Sequence, residues 1–316
     1  MGHNHSHDHT HGANKKALMI SFIIITAYMV IEAIGGFLTN SLALLSDAGH
    51  MLSDAVSLGV GLLAFKLGEK VASYHKTYGY KRFEILAAVF NGVTLILISL
   101  YIFYEAYHRF MDPPEVASTG MLVIASIGLI VNIVVAWILM RGDTDENLNL
   151  RAAFLHVLGD LFGSIGAVSA ALLIMFFGWG WADPLASVLV AILVLVSGWR
   201  VTKDAVHVLM EGTPKNVELD DIINTIEKIE EIIAIHDLHV WSITSGQNAL
   251  SCHAVVDGEL SVHESQKLLR SIEQKLEHKD IGHVTVQMES EEHPHEDSLF
   301  CQNDHESVSR SHDHSK

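Results

Sequence analysis

Cysteine and basic residues are scarce in this sequence, and each scarcity excludes a class of protein. The 316 residues include only Cys252 and Cys301, which provide no disulfide framework. Lys and Arg number 20 against 37 Asp and Glu, for a net charge of −17. From Glu211 onward there are 22 acidic and 8 basic residues, so most of the acidity belongs to the C-terminal part. This balance argues against nucleic-acid binding and is compatible with attracting cations.

Charge is nearly absent from several long stretches. Between Ala17 and Leu38 the only ionised residue is Glu32, and about 20 apolar residues cross a hydrocarbon core of about 30 Å. The chain is therefore predicted to span a membrane as an all-α bundle of six transmembrane helices. The six predicted spans cover residues 17–38, 42–65, 83–107, 119–140, 151–177 and 184–208. A cleaved signal peptide is not expected, because the first span is too long and His-rich polar sequence precedes it.

Basic residues are missing from the loops on one side of the predicted bundle. The loops around 39–41 and 178–183 contain no Lys or Arg, and only Arg109 lies near the third loop. The opposite side carries the basic residues Lys15, Lys16, Lys66, Lys70, Lys76, Lys81, Arg82, Arg141, Arg200 and Lys203. Cytoplasmic loops carry an excess of Lys and Arg. Both termini, and with them both cysteines, are therefore predicted to be cytoplasmic.

Four parts are predicted along the chain. They are a His-rich cytoplasmic tail at 1–16, the transmembrane domain at 17–210, a cytoplasmic domain at 212–290 and a His-rich disordered tail at 291–316. Gly212-Thr213-Pro214 marks the end of the last long helix. In the third part, periodicity predicts a helix from Leu219 to Ile229, strands at 236–244 and 249–256 joined by a turn at 245–248, a helix at 261–277 and a strand at 283–289. This order predicts an α+β domain of αββαβ type, with helices on one face of a sheet.

Two of the predicted spans contain the same His-x-x-x-Asp pattern. Span two has His50 and Asp54, and span five has His156 and Asp160. Residues at i and i+4 lie on one helix face, so each helix presents an imidazole beside a carboxylate. Two nitrogens and two oxygens form a tetrahedral set that suits Zn²⁺. Ca²⁺ and Mg²⁺ would need more oxygens, and Cu(I) prefers sulfur.

The alternative interpretation of these residues is hydrogen bonding between helices. Ionisable groups at membrane depth usually mark function, and the repetition of one spacing on two spans favours the metal site. Asp47 lies one turn before His50 on nearly the same stripe. We interpret it as a residue that orients the ligands or lines the path of the ion.

Three segments make the sequence resemble the cation diffusion facilitator family of divalent-metal transporters. They are SLALLSDAGHMLSDAVSLG in span two, HKTYGYKRFEILAA leading into span three and NLRAAFLHVLGDLFGS in span five. The resemblance implies a homodimer that exchanges metal for protons at His50, Asp54, His156 and Asp160. This ligand set is typical of zinc-type members, such as bacterial cadmium, cobalt and zinc resistance efflux proteins. The short loop between spans four and five lacks the His-rich insertion common in eukaryotic relatives, which favours a prokaryotic plasma membrane.

The resemblance also implies a metallochaperone-like cytoplasmic domain that dimerises and binds further metal. The positions that best match its ligands are His236, His253 and Glu289, with His263 and His283 as additions. The alternative is that these residues are solvated, as surface histidines usually are. The N-terminal tail carries a histidine at every second position, and we interpret it as a disordered metal-collecting arm. Its members are His3, His5, His7, His9 and His11.

Three classes of function compete for this sequence. They are a secondary transporter that exports Zn²⁺, a membrane zinc sensor or storage protein without transport, and a membrane metalloenzyme. The sequence has no HExxH pair with a Glu to act as general base, and no P-loop for ATP. A sensor has no need of ligands at membrane depth, whereas a transport site must be reachable from both faces in turn.

The prediction is therefore a non-enzymatic Zn²⁺/proton antiporter that works by alternating access. Zn²⁺ is expected both as substrate and as a ligand of the cytoplasmic domain, and Cd²⁺ and Co²⁺ stay open as further substrates. K⁺ stays open as a second counter-ion. The predicted partners are divalent metal ions, protons, the lipid bilayer and a second copy of the chain.

Overall fold

The structure is a computed structural model that describes residues 7–68, 73–140, 148–292 and 299. Within these ranges its description leaves out the side chains at 7–19, 21, 54, 57–58, 60–68, 138–140 and 148–159. The predicted tails therefore lie largely outside the described residues, and so do the side chains of all five N-terminal histidines. The chain divides into two compact units, one ending at Ala205 and one beginning at Val206.

Six long helices come first in the described part of the chain. They are α1 (His7–Thr39), α2 (Leu42–Gly68), α3 (Phe83–Met111), α4 (Ser118–Met140), α5 (Leu148–Phe177) and α6 (Ala182–Leu209). A helix satisfies its backbone polar groups within its own segment, as hydrocarbon requires. Among the described residues, five segments are long and apolar enough to cross a membrane. These are Phe22–Thr39, Phe83–Met111, Ser118–Trp137, Asp160–Phe177 and Ala182–Leu209.

The side chains of α2 at 54, 57–58 and 60–68 lie outside the described residues, so the same criterion does not extend to this helix. Its N-terminal half carries the polar run Ser46-Asp47 followed by His50, Ser53 and Asp54. Five apolar helices are thus established, and the sixth span stays a prediction.

Helix α1 begins ten residues before the predicted first span. The structure continues the helix from His7 through residues that the sequence analysis assigned to a disordered tail. Once an apolar span is helical, each further residue adds one hydrogen bond without a new nucleation step, and Ala13, Lys15 and Lys16 are good helix formers. The predicted tail boundary at residue 16 is therefore not a helix boundary.

The first unit has an apolar outer surface and polar groups inside. Large side chains such as Phe37, Phe90 and Phe162 are 80%, 73% and 70% exposed. Among the described side chains of this unit, four carboxylates are buried instead: Glu32, Asp47, Asp160 and Asp183. Exposed apolar area of this extent is rare on soluble monomers. The distribution fits a bundle whose surrounding solvent is hydrocarbon.

Small residues let α3 and α6 approach backbone to backbone. A Cβ added at Gly92 would lie 2.9 Å from the Gly198 carbonyl oxygen, and one added at Gly198 would lie 3.0 Å from the Gly92 carbonyl oxygen. Such contacts are typical of membrane helix pairs, which associate through close packing.

The second unit contains a three-stranded sheet. Its elements in chain order are α7 (Leu219–Glu227), β1 (Ile232–Thr244), β2 (Gln247–Val256), α8 (Val262–Glu277) and β3 (Ile281–Ser290). The strand order is β1-β2-β3, with β1 and β2 antiparallel and β2 and β3 parallel. A parallel pair needs a crossover connection, which α8 provides.

The turn between β1 and β2 is shorter than predicted, with Ser245 and Gly246 between the paired residues Thr244 and Gln247. Gly246 has φ +71°, a left-handed conformation that glycine adopts without strain.

The core of the second unit lies between the sheet and its two helices. Ile222 and Ile226 of α7 and Ile272 and Leu276 of α8 are fully buried with Leu250 of β2. The N-terminus of α8 is closed by a capping box. In this motif the Ser261 hydroxyl accepts the Glu264 N–H, and the Glu264 carboxylate accepts the Ser261 N–H. The sheet is therefore held against α7 and α8 on one face, which leaves polar side chains to the other.

Candidate metal sites

The N-terminus of α2 is held by a carboxylate from α6. Asp183 is fully buried and accepts hydrogen bonds from the Ser41 hydroxyl at 2.6 Å and from the N–H groups of Leu42 and Ala43 at 2.8 and 3.1 Å. The first N–H groups of a helix have no partner within the helix, and an anion there also meets the positive end of the helix dipole. Asp183 therefore fixes where α2 begins.

Arg109 of α3 joins the same cluster. Its Nη1 lies 3.8 Å from Asp183 Oδ2 and donates to the Asn40 carbonyl oxygen at 2.7 Å, while its Nε donates to Glu105 at 3.0 Å. This network ties the ends of α2, α3 and α6 together. It sets the register of α2, whose next turns carry the predicted metal ligands.

Two predicted transport-site residues meet between α2 and α5. His50 Nε2 lies 3.1 Å from Asp160 Oδ1, and the two side chains are 15% and 7% exposed. This pair of a half-buried imidazole and a buried carboxylate supplies one nitrogen and one oxygen of the types that bind Zn²⁺.

For the other two predicted ligands, the structure describes the helix backbone but not the side chains. Asp54 lies on α2 one turn after His50, and His156 lies on α5 one turn before Asp160. Their side chains are outside the described residues, so their part in a metal site stays a prediction.

Asp47 faces α5 as well. It is 2% exposed, and a Cβ added at Gly163 would lie 3.0 Å from its Oδ1. Gly163 follows Asp160 by three residues and thus lies on the same helix face. The missing side chain at Gly163 makes room for the Asp47 carboxylate.

Glu32 is a buried carboxylate near this site to which the sequence analysis gave no role. It lies on α1, is 1% exposed, and contacts the Tyr28 hydroxyl through Oε1 at 3.2 Å. Tyr28 also lies 2.9 Å from the Ile124 carbonyl oxygen of α4. Glu32 interacts further with the Asp47 side chain and with the charge of Asp160. The signal in the sequence was its position as the one ionised residue in a 22-residue apolar run from Ala17 to Leu38.

A second candidate site lies on the sheet of the C-terminal unit. His236 of β1 is paired with His253 of β2, and Glu289 of β3 completes the group on the same face. Glu289 Oε2 lies 3.0 Å from His236 Nε2, and its Oε1 lies 3.1 Å from His253 Nδ1. One ligand atom from each residue lies within 4.8 Å of the others, close enough to share one metal ion. Gln287 donates to Glu289 Oε1 at 2.7 Å and orients the carboxylate.

The remaining predicted ligands of this domain lie elsewhere in the unit. His263 is in the first turn of α8 and His283 is near the start of β3, and both are exposed. Neither belongs to the three-residue group found among the described residues. Their part in a metal site with His236, His253 and Glu289 therefore stays a prediction.

Asp237 and His239 were missed by the sequence analysis. Asp237 has φ +50° at a break in the β1 register, and its carboxylate lies 3.1 Å from His239 Nε2 and 3.7 Å from His253 Nε2. His253 thus lies between two carboxylates, Glu289 at one ring nitrogen and Asp237 at the other. The HDLH run at 236–239 was the available signal, but the bulge that brings Asp237 to His253 has no sequence pattern of its own.

Comparison with known families covers both units. Residues 18–210 match the family model described as the cation efflux transmembrane domain, and residues 214–291 match that of the cation efflux protein, cytoplasmic domain.

Individual proteins are similar along almost the whole chain. A cadmium, cobalt and zinc/H(+)-K(+) antiporter from Bacillus subtilis (strain 168) is 67% identical over 303 residues, covering 96% of each chain. The metal cation efflux system protein CzcD from Cupriavidus metallidurans is 41% identical over 290 residues, which are 92% of this chain and 90% of its own. A solved structure of the metal-bound C-terminal domain of the CzcD transporter is 35% identical and covers 23% of this chain and 99% of its own, with a TM-score of 0.21.

Proposed function

Because this chain belongs to the cation efflux family, the family of cation diffusion facilitators that its motifs resemble, we propose that it exports Zn²⁺ from the cytoplasm in exchange for protons. Cd²⁺ and Co²⁺ are further proposed substrates, since the Bacillus subtilis relative is named for all three metals. Its name also includes K⁺, which we propose as a second counter-ion to test.

The observation that carries the proposal is the contact between His50 and Asp160. It joins two helices at 3.1 Å inside a bundle whose outer surface is apolar. Burying a carboxylate and an imidazole at membrane depth is unfavourable unless they bind something. A transported cation is such a ligand, and the family match gives the cation its class.

Helix direction supports the full four-residue site. If α2 to α5 each cross the membrane, three reversals separate α2 from α5, and these two helices run in opposite directions. One turn forward from His50 on α2 then lies at the same depth as one turn back from Asp160 on α5. These positions are Asp54 and His156. Two imidazoles and two carboxylates would thus surround one ion, the tetrahedral set that suits Zn²⁺.

The chemistry of the proposed ligands couples metal to protons. Zn²⁺ binds neutral imidazole and ionised carboxylate, so binding of metal releases protons and protonation releases metal. Imidazole titrates near neutral pH. We propose that cytoplasmic Zn²⁺ binds in an inward-open state, and that protons displace it once the site opens to the other side.

Orientation and assembly complete the proposal. We propose a prokaryotic plasma membrane with both termini in the cytoplasm; the positive-inside distribution supports this orientation, and the matched C-terminal model is described as a cytoplasmic domain. We propose that this domain dimerises and binds Zn²⁺ at His236, His253 and Glu289, whose ligand atoms are already close together.

A zinc sensor or storage protein is the second candidate, and the cytoplasmic three-residue group is the observation that favours it. It does not account for the His50–Asp160 pair inside the bundle, because a sensor functions with its ligands in the cytoplasm. The two functions differ in whether zinc crosses the membrane.

The test is zinc flux into proteoliposomes under an imposed pH gradient. We expect gradient-driven flux in the wild type and loss of flux in Asp160→Asn, which keeps the shape of the side chain but removes its charge. Asp112→Asn, at an exposed position after α3, is the matched control and should transport like the wild type. Zinc binding without flux in the wild type would instead support the sensor.

A further inference from the structure

We propose that the 73–82 loop, which directly precedes α3, is a binding surface for the anionic headgroups of membrane phospholipids. The ligand is the phosphate group of a lipid in the bilayer around the bundle. The surface lies outside both candidate metal sites, and the inference does not depend on which ion is transported.

The 73–82 loop is basic in a chain that is acidic overall. Its ten residues include Lys76, Lys81 and Arg82 and no acidic residue, whereas the whole chain has a net charge of −17. The nearest acidic residues in the sequence are Glu69 and Glu84. Lys and Arg beside a membrane span are attracted to anionic headgroups. The charge of the loop is therefore complementary to that of a phospholipid phosphate.

The backbone of the loop is folded by its own hydrogen bonds. Ser73 and Lys76 exchange both backbone hydrogen bonds, at 3.0 and 2.9 Å, and the Lys76 carbonyl oxygen also accepts the Gly79 N–H at 2.9 Å. The Lys76 ammonium lies 4.0 Å from the centre of the Tyr80 ring, a cation–π contact that favours one position of the charge. A surface that is already folded loses less conformational entropy when it binds a ligand.

The length of α3 indicates that this loop lies at the depth of the lipid headgroups. At the far end of α3 the side chains of Tyr104 and Tyr107 are exposed, as in the aromatic belts of membrane–water interfaces. A hydrocarbon core of about 30 Å takes about 20 helical residues, which from Tyr104 reach back to Glu84. Arg82 precedes the apolar segment Phe83–Met111 and thus lies just outside the hydrocarbon. The positive end of the α3 dipole is at the same level.

The tyrosines of the loop fit the same environment. Tyr74 is fully exposed, and Tyr78 and Tyr80 are exposed as well. Tyrosine is enriched at membrane interfaces, where its ring contacts apolar groups and its hydroxyl stays hydrated. A soluble acidic partner would have to enter the headgroup layer to reach these residues. Lipid phosphate is already present at this depth, so the geometry favours lipid over such a partner.

The test compares the binding of anionic and zwitterionic lipid to the full-length protein in detergent. Native mass spectrometry of lipid titrations gives the dissociation constants of phosphatidylglycerol and phosphatidylcholine, and their ratio is the headgroup preference. The charge-loss variant combines Lys76→Gln, Lys81→Gln and Arg82→Gln. The matched control removes two Lys and one Arg from exposed positions of the C-terminal unit, with the changes Lys228→Gln, Lys267→Gln and Arg270→Gln.

We expect the wild type and the control to prefer phosphatidylglycerol equally, and the preference of the charge-loss variant to be at least about tenfold lower. A charge-loss variant with the wild-type preference would overturn the inference. An equal fall in the control would overturn it too, because net charge and not the loop would then determine the preference.

A second variant leaves every charge in place, because loss of basic residues beside a span can disturb insertion into the membrane. Tyr80→Leu removes the ring that contacts Lys76, and we expect it to bind phosphatidylglycerol about two- to fivefold more weakly than the wild type. Tyr101→Leu, at an exposed position in the middle of the apolar segment of α3, is its control and should bind like the wild type. Equal affinity of the two tyrosine variants would count against the loop as the binding surface. None of these measurements uses metal, so a failure of the proposed antiport would leave their results unchanged.

Discussion

Replacing Asp183 by Ala should destabilise the protein more than any exposed carboxylate substitution. The change leaves the Ser41 hydroxyl and the N–H groups of Leu42 and Ala43 without their buried acceptor, and it removes the partner of Arg109. Loss of a helix N-cap costs about 1 kcal/mol, and breaking a buried charge pair costs about 3–5 kcal/mol.

The expected loss lies at the lower end of that range. Arg109 keeps two partners in the variant, the Asn40 carbonyl oxygen at 2.7 Å and Glu105 at 3.0 Å, so its charge is not left uncompensated. We therefore expect a loss of about 3 kcal/mol in the free energy of unfolding. For a protein unit of about 200 residues, that corresponds to a fall in Tm of roughly 6–12 °C.

Thermal unfolding in detergent micelles, followed by circular dichroism, measures this difference. Asp112→Ala is the matched control because its carboxylate is exposed, and its Tm should lie within about 2 °C of the wild type. Ser41→Ala, which removes one of the three donors, should give a smaller loss of about 1 kcal/mol. A Tm for Asp183→Ala equal to that of the Asp112 control would refute the idea that this carboxylate holds the start of α2.

Three further outcomes are expected. Gly163→Ala should lower the rate of zinc transport about tenfold, because the new Cβ would lie 3.0 Å from Asp47 Oδ1 and overpacking costs about 1–3 kcal/mol. Gly166→Ala should transport zinc at the wild-type rate, because its new Cβ would meet nothing within 4 Å. Glu289→Gln should weaken zinc binding at the cytoplasmic site by at least about tenfold in a chelator competition assay, because the carboxylate contacts the imidazoles of His236 and His253. If the variant binds zinc as tightly as the wild type, Glu289 is not a ligand. Burial raises the pKa of the Cys252 thiol from 9.0 to about 12, so the unfolded state loses the thiol proton at a lower pH than the folded state. The free energy of unfolding should therefore fall by up to about 1.4 kcal/mol per pH unit as the pH rises above 9. In denaturant titrations at pH 8 to 11, Cys252→Ala should lack this part of the decline.

The long helices were largely predictable because their signal is local. Five of them contain, within the described residues, an apolar segment long enough to cross a bilayer, and the predicted spans fall within α1 to α6. The ends were less predictable. Residues from His7 to Lys16 are polar, but they continue a helix that the following apolar span has already nucleated.

The sheet of the C-terminal unit shows a similar division. The periodicity of apolar residues predicted strands at 236–244 and 249–256, and the pairing of His236 with His253 follows from their hairpin. The hairpin turn was predicted two residues too long, because the polar residue Gln247 and the typical turn residue Asn248 here pair with Thr244 and Ser242. Tertiary pairing outweighed local preference at these two positions.

What the sequence by itself determined is the content of each helix face, and what the tertiary structure decided is which faces meet. The spacing of His50 and Asp54, and of His156 and Asp160, follows from 3.6 residues per turn whatever the helices pack against. The partners of Asp183 lie 140 to 142 positions away in the chain, and no periodicity relates residues at such distances. Glu32 shows the consequence most directly. Its presence in an apolar run marked it as unusual, and helical periodicity places Tyr28 one turn before it on α1. Only the packing of α1 against α2 brought Asp47 close to it, and a buried carboxyl acquires its role from the groups that surround it.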